Sequence, residues 1–441
     1  MKYFLPNACL ILTMFALAMT SGCKEEIAQP LTATLQLVAE GASVSEAFLR
    51  IHANVPRTPW ILLLKRDQLG AYFSEPIDRS SFDTLIDDNL LYGNQTYTYK
   101  AYYLYNLIVT DSSAPATVTT LGGTSHSFIW QMDTVGIPFA TQLFDVSIIN
   151  DTCVWAVGSI IAPDSAGGVP RLHNAAKWDG GQWTLQTISY LYQGNLGSEA
   201  LRAIDAFSQT DIWVAGSDAY HWNGATWQQA NLNSAIFHGD INKFWGTSSS
   251  DLYIVGTNGS LAHYDGTDWK KIDAGTTLDF QDIWGAKNSR SGETEIIAAA
   301  SNWSDTTGYQ RDIIKISGST TTSISDSGIY LTMHTVWFVP GLKYYIAGVR
   351  LFANISPIYN APWSVDNESQ FSSYDKFSMR GNGLNDIVIA GQLGEILHFN
   401  GSSWVSYYPA THFSGNYYAV AIRNNLIVAV GDQGVIAIGH R

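Results

Sequence analysis

Cysteine is scarce in this chain: Cys9, Cys23 and Cys153 are the only three in 441 residues. Cys9 lies in an apolar N-terminal leader, and Cys23 stands where such a leader ends. Only Cys153 is then left as a free thiol, no internal disulfide can form, and stability has to come from burial. Cys153 sits in an apolar strand pattern and reads as a buried, inert thiol. Basic residues are also few, with 24 Lys and Arg against 38 Asp and Glu and a formal charge of -14. That balance excludes nucleic acid and anionic membrane surfaces as partners, because both need clustered cations. Metal-ligand spacings of the His-x-x-x-His or Cys-x-x-Cys kind are missing, so no metal and no cofactor are expected. No apolar run reaches the length that crosses a bilayer.

What the chain does have is 46% hydrophobic and 13% aromatic residues, with only 14% charged. Lys2 followed by the uncharged run Leu10–Met19 reads as a signal peptide over residues 1–22. Its end, Thr20-Ser21-Gly22-Cys23, resembles a lipobox, which implies lipidation at Cys23 and a membrane anchor there; the alternative is a plain secretory signal cleaved near Gly22. Lys24-Glu25-Glu26 resembles the export tag of some Bacteroidota lipoproteins. The resemblance implies a lipid-anchored protein of the bacterial outer membrane, exposed at the cell surface, with a linker over 23–31.

From Thr32 to about Leu121 short strands alternate with turn signals, and no helical period is sustained. Ala47–Ala53 and Trp60–Lys65 are the clearest strands, with Trp60 most simply a core residue. The segment Leu91–Tyr102 resembles the tyrosine corner and following strand of fibronectin type III domains, which implies a small sandwich over 32–122 and a Tyr97 hydroxyl bonded to upstream backbone.

Beyond Leu143 one pattern returns. Its first half is an apolar strand ending in Gly, as in Ile212–Gly216, Leu252–Gly256, Ile387–Gly391 and Leu426–Gly431, with further copies at Trp155–Gly158 and Tyr345–Gly348 and a degenerate one at Ile296–Ala299. Its second half is an aromatic, Asp or Asn, Gly, two residues and Trp: Trp178–Trp183, Trp222–Trp227, Tyr264–Trp269 and Phe399–Trp404. Adjacent Asp-Gly or Asn-Gly is a strong hairpin signal, explained here by both residues tolerating positive φ. Four strands recurring at roughly forty residues is the signature of a propeller blade.

The copies number seven, and the last stops at Arg441 without a fourth strand. Ser127–Met132 matches the missing one, with Trp130 in the place of the blade tryptophans. The expected fold is therefore all-β: a fibronectin type III-like sandwich followed by a seven-bladed β-propeller over 125–441, closed by an N-terminal strand that leaves no open edge. The repeat resembles those of bacterial surface lipoproteins with kelch-like or sialidase-like propellers. No enzyme motif accompanies it, since the Asp box of sialidases separates Asp from Gly and here they are adjacent.

A residue type that recurs in several blades serves packing. His221, His263 and His398, together with Trp183, Trp227, Trp269 and Trp404, are read in that way. Ligand contacts should come from residues that break the repeat, in the loops from outer to next inner strand and from second to third strand. Those loops supply Glu199, His238, Asp240, Asn258, Trp303, Arg350, Tyr374, Gln392 and His412 as candidates. Two insertions, Ile161–His173 and Ser301–Arg311, read as surface loops that shape the same face. The functional expectation is a surface-anchored, monomeric binding or interaction module for a glycan or protein ligand. The alternative is a glycan-active hydrolase or lyase at the channel mouth, for which no catalytic residue is identified.

Overall fold

The structure is a computed structural model, and it describes residues 33–67, 71–163, 168–192, 195–355, 361–366 and 373–441. The leader and Cys23 lie outside the described residues. Among the described residues nearly all regular structure is strand; the exceptions there are one turn of 3-10 helix, Gln392–Gly394, and one of α-helix, Tyr408–Thr411.

Two sheets come first. Strands Thr34–Ala42, Ala47–Asn54 and Ser81–Asp88 form one, and Ala71–Ile77, Trp60–Arg66, Thr96–Tyr105 and Ile108–Ser112 form the other, with Ala116–Thr119 paired to the long strand Thr96–Tyr105. The alternating apolar residues of both sheets meet in one core around Trp60, Leu62, Tyr99 and Tyr103. Trp60 is buried, and its indole N–H donates to the Arg79 carbonyl at 3.0 Å. The Tyr97 hydroxyl accepts the Tyr92 N–H at 2.9 Å. One charge is sunk into this core: Asp88, fully buried, takes Arg66 at 2.8 Å and the Tyr99 hydroxyl at 2.7 Å.

Seven four-stranded antiparallel sheets follow among the described residues, and they have the form of propeller blades. Blade 1 spans Gln142–Gln186, blade 2 Ala203–Gln229, blade 3 Ile241–Lys271, blade 4 Phe280–Ile324, blade 5 Met333–Val365 and blade 6 Lys376–Ser406. Blade 7 is made of Tyr417–Arg423, Leu426–Gly431 and Val435–His440, with Ile129–Thr134 as its fourth strand. That last pairing is antiparallel and sets Gly439 opposite Trp130. The first strands of successive blades lie side by side, and that of blade 7 lies against that of blade 1.

The recurring glycine has a packing cause. A Cβ on Gly391 would overlap the Asp375 carbonyl, and one on Gly431 the Asn416 carbonyl, so the chain entering each blade crosses close over the end of its second strand. Blade 4 carries Ala300 there, and its second strand runs straight on to Ser304. Ser301–Arg311 is accordingly no irregular loop: Thr294–Ser304 and Gly308–Ser317 make one regular hairpin with Trp303 opposite Tyr309, because strand pairing continues up to the Ser304–Gly308 turn. Part of the other insertion is strand as well, Cys153–Ala162 leading in and Arg171–Trp178 leading out.

The Asp-Gly and Asn-Gly turns differ from expectation in one respect. Only the glycine has positive φ (98° at Gly180, 90° at Gly224). The preceding acid or amide acts through its side chain, as Asp179 Oδ1 accepts the N–H groups of Gly181 and Gln182, both at 2.9 Å. The loop holds four residues between the paired Trp178 and Trp183, so an Asx turn replaces the two-residue hairpin.

Repeated histidines and tryptophans hold blades together. His221 bonds Asp211 and stacks on Trp213 at 4.5 Å, and His263 does the same with Asp251 and Tyr253 at 4.2 Å. Trp269 packs on Trp213 of the preceding blade, and Trp227 on Trp155. The N-terminal sheets sit on blades 4 to 6: Phe48 and Leu85 share a core with Trp337, Leu384 and Trp404, and Lys343 pairs with Glu46 at 2.8 Å.

Candidate functional site

The inner strands carry the device that shapes the channel. In six blades the first strand has a β-bulge at its start, between Leu143 and Asp145, Ile241 and Lys243, Phe280 and Asp282, Met333 and Thr335, Lys376 and Ser378, and Tyr417 and Ala419. A bulge sends one extra side chain out of the ladder. The extra residues are Phe144, Asn242, Gln281, His334, Phe377 and Tyr418. Blade 2 has regular register at the start of its first strand, and Arg202 occupies the corresponding place just ahead of that strand.

These seven residues form an asymmetric ring at the mouth on the side of the outer-to-inner connections. Four make a partly exposed arc of rings: His334 to Phe377 at 5.2 Å, Phe377 to Tyr418 at 5.7 Å and Tyr418 to Phe144 at 6.0 Å. Arg202 extends it by lying over Phe144 at 5.4 Å. The other side is amide: Asn242 donates to the Phe280 carbonyl and Gln281 to the Ser301 carbonyl. Carboxylates stand behind the arc. The Tyr418 hydroxyl donates to Asp432 at 3.0 Å, and both burial and that carboxylate push its ionisation up. The His334 ring, 3.5 Å from Asp375, holds that carboxyl below the usual range.

In four of the six bulged blades the residue following the bulge does a different job. Asp145 accepts the Ile204 N–H of blade 2, Asp282 the Val336 N–H of blade 5, Thr335 the Met379 N–H of blade 6 and Ser378 the Val420 N–H of blade 7. Each bond ties one blade to the next inside the channel. Two of these acids also meet cations: Lys243 reaches Asp145 at 2.5 Å, and Arg380 grips Asp282 with two bonds of 2.8 and 2.9 Å. Arg380 outweighs the burial that would otherwise raise Asp282, and holds its carboxyl low.

Eight of the nine candidates from the sequence fall in the outer-to-inner or second-to-third connections, spread over different blades; Trp303 instead lies in the second strand of blade 4, paired with Tyr309, because strand pairing runs on to Ser304. Asp240 pairs with Arg202 at 3.7 Å, and its N–H donates to the Thr257 hydroxyl, which the Asn258 amide also reaches. Glu199 is tied down by the Ser217 N–H and the Tyr220 hydroxyl, both at 3.2 Å. Gln392 accepts the Asp375 N–H, next to the exposed Tyr374. His238 and His412 are exposed, the latter 6.5 Å from the Tyr408 ring. Arg350 is half-buried in blade 5, and Trp303 is exposed on the blade 4 hairpin. None of the nine belongs to the seven-residue ring. A sequence signal for the ring exists in five of the six bulged blades, a residue between a buried apolar position and a small or charged one, with Lys376 in the apolar place in blade 6, but only the bulge tells which way it points.

No family model matches the chain, and no curated protein matches it. Solved structures do. A structure described as YCF48 bound to D1 peptide aligns with a TM-score of 0.54 at 15% identity, over 72% of this chain and 97% of that one. YCF48 from Cyanidioschyzon merolae aligns at 0.51 and 15% identity, over 70% of this chain and 98% of that one. The WD40 β-propeller domain of Doa1 aligns at 0.50 and 13% identity, over 71% of this chain and 97% of that one. At such identities the likeness establishes the fold, a β-propeller.

Proposed function

We propose that this chain is an envelope-anchored binding protein that takes a peptide segment of a protein partner on the propeller face around the mouth ring. The observation that carries this reading is the arc His334–Phe377–Tyr418–Phe144 capped by Arg202. Aromatic side chains and arginine dominate the binding energy of protein interfaces, since they bring large area at little entropic cost. The arc breaks the sevenfold repeat, whereas blade packing would reproduce one residue type in every blade. A propeller of the same fold, YCF48, is described with a bound peptide, which makes a peptide the first ligand class to test.

The rest of the reading follows the sequence. Residues 32–122 are assigned to a fibronectin type III-like spacer, supported by the two facing sheets and the bond between Tyr97 and Tyr92. Residues 125–441 are assigned to a seven-bladed propeller closed by Ile129–Thr134, supported by that strand's register against Val435–His440. A lipid on Cys23, at the outer membrane, would tether the assembly.

The test is selection of peptides from a displayed random library against the protein, with a glycan array in parallel. Selected peptides should bind wild type and lose at least tenfold with Phe377→Ala or Tyr418→Ala, while circular dichroism stays unchanged. Binding of glycans alone, or peptides indifferent to both substitutions, would refute the reading.

A further inference from the structure

Inside the channel, on the side carrying the N-terminal sheets, lies a second site. A cavity of about 450 Å³ is walled by the inner strands of blades 1, 2, 3, 4, 6 and 7, and opens where exposed Thr247 and Arg423 mark the strand ends. That volume is in the range of small-ligand pockets. Its charges do not balance. Asp145 has Lys243, and Asp282, beneath the wall, has Arg380. Asp205 faces the same space with no side chain donating to it among the described residues. Arg423 donates to the Ile148 carbonyl at the rim, away from these pairs. Apart from Arg423 at the opening, three carboxylates, one of them Asp282 behind the wall, stand against the two cations Lys243 and Arg380. Asp205 is half-buried on the channel wall, and burial first, then Asp145, push its carboxyl up to about 7, although Lys243 and Arg380 pull the other way. Beside it the wall is apolar and aromatic, formed by Phe207, Phe244, Trp245 and Trp284.

We infer that this cavity binds a small organic ammonium ion, with the cationic head against the Asp205 carboxylate and the alkyl part along Phe244 and Trp245. An excess carboxylate half-buried in low dielectric is stabilised by a cation, and aromatic faces favour an organic one over a hydrated metal ion. The guest is either a free aliphatic amine or the end of a lysine side chain. The site is independent of the mouth ring, which lies at the opposite end of the channel.

The experiment is isothermal titration of the whole protein with n-butylammonium chloride, with sodium chloride as the inorganic control and N-acetyl-lysine amide as the side-chain arm. Saturable one-to-one binding of n-butylammonium is expected, tightening between pH 6 and pH 8 as Asp205 ionises, and unaffected by Phe377→Ala. Asp205→Asn should weaken it at least tenfold. Ser147→Lys, which places an ammonium from the facing strand position of blade 1 into the cavity, should abolish it even if Asp205→Asn fails to fold. Binding of N-acetyl-lysine amide would assign the guest to a side chain, and its exclusion would assign a free amine. The inference is overturned if n-butylammonium does not saturate, if sodium competes at equal concentration, or if the folded variants bind as wild type does.

Discussion

Replacing Asp282 by alanine should be among the most damaging single changes in the channel. Its carboxylate receives both Arg380 nitrogens, the Thr335 hydroxyl at 2.7 Å, the Val336 N–H at 3.1 Å and its neighbour Ile283 N–H at 3.0 Å, which binds blades 4, 5 and 6 at one point. Removing one partner of a buried ion pair leaves the other charge uncompensated, a loss of about 3–5 kcal/mol. Arg380 rests on Trp284 at 5.2 Å and cannot swing into solvent without giving up that contact. Equilibrium urea unfolding of wild type, Asp282→Ala, Arg380→Met and the double variant measures the coupling. The double variant should be more stable than Asp282→Ala, because no orphan cation remains. The pH dependence has a definite sign. Asp282 is held low in the folded state, so its contribution is fully present above the ordinary carboxylate pKa of about 3.9 and disappears as pH falls through the folded value. The gap between wild type and Asp282→Ala should therefore hold from pH 7 to about pH 4 and shrink below. A loss under about 1 kcal/mol, or a coupling under about 0.5 kcal/mol, would refute the reasoning.

Gly391→Ala should cost about 1–3 kcal/mol or more, since its Cβ meets a backbone carbonyl that cannot move without shifting the blade; thermal unfolding reads this directly. His126 shares a 2.9 Å bond with His398, whose other nitrogen bonds Asp386. Burial first, then His398 and Arg441, lower the His126 pKa. The folded state therefore disfavours its protonation, and stability should fall as pH drops from about 6.5 toward the folded value, with His126→Asn flattening that slope in a pH series of melts. Asp205 has the opposite sign from Asp282: its raised folded pKa costs stability as pH rises from about 4 to about 7, so without added amine Asp205→Asn should melt higher than wild type at pH 8 and equal to it near pH 4.

The repeat was legible because the blades share local chemistry, an apolar second strand ended by Gly in six of the seven and a turn marked by Asx-Gly before Trp in four. The reason for that Gly was not, since the crossing at Asp375 or Asn416 joins residues on neighbouring segments. The recurring histidines read as structural, and the Asp211–His221 and Asp251–His263 pairs supply the mechanism. The mouth ring escaped for a geometric reason. A bulge inverts which side of the strand a residue takes, and no composition rule separates Phe377, which points out, from Met379, which is buried. Asp205 escaped differently, because blade 2 lacks the bulge and its acid sits one channel layer away from Asp145 and Asp282. The hairpin tipped by Trp303 was taken for a loop because its Ser, Asp, Thr and Gly content dominates the local signal.

The arrangement of the ring rests on the pairing of Ile129–Thr134 with Val435–His440, and Ile129 and His440 are directly opposed and exposed at its end. Facing Cβ atoms on paired strands lie about 4.5–5.5 Å apart, close enough for a disulfide to form with small adjustment. The direct measurement is peptide mapping by mass spectrometry of oxidised Ile129→Cys/His440→Cys. The ring as described gives an intramolecular 129–440 bridge in nearly every molecule, with Cys153 still free. Unbridged thiols, or bridges only between molecules, would mean that the last blade is not completed from the N-terminal side.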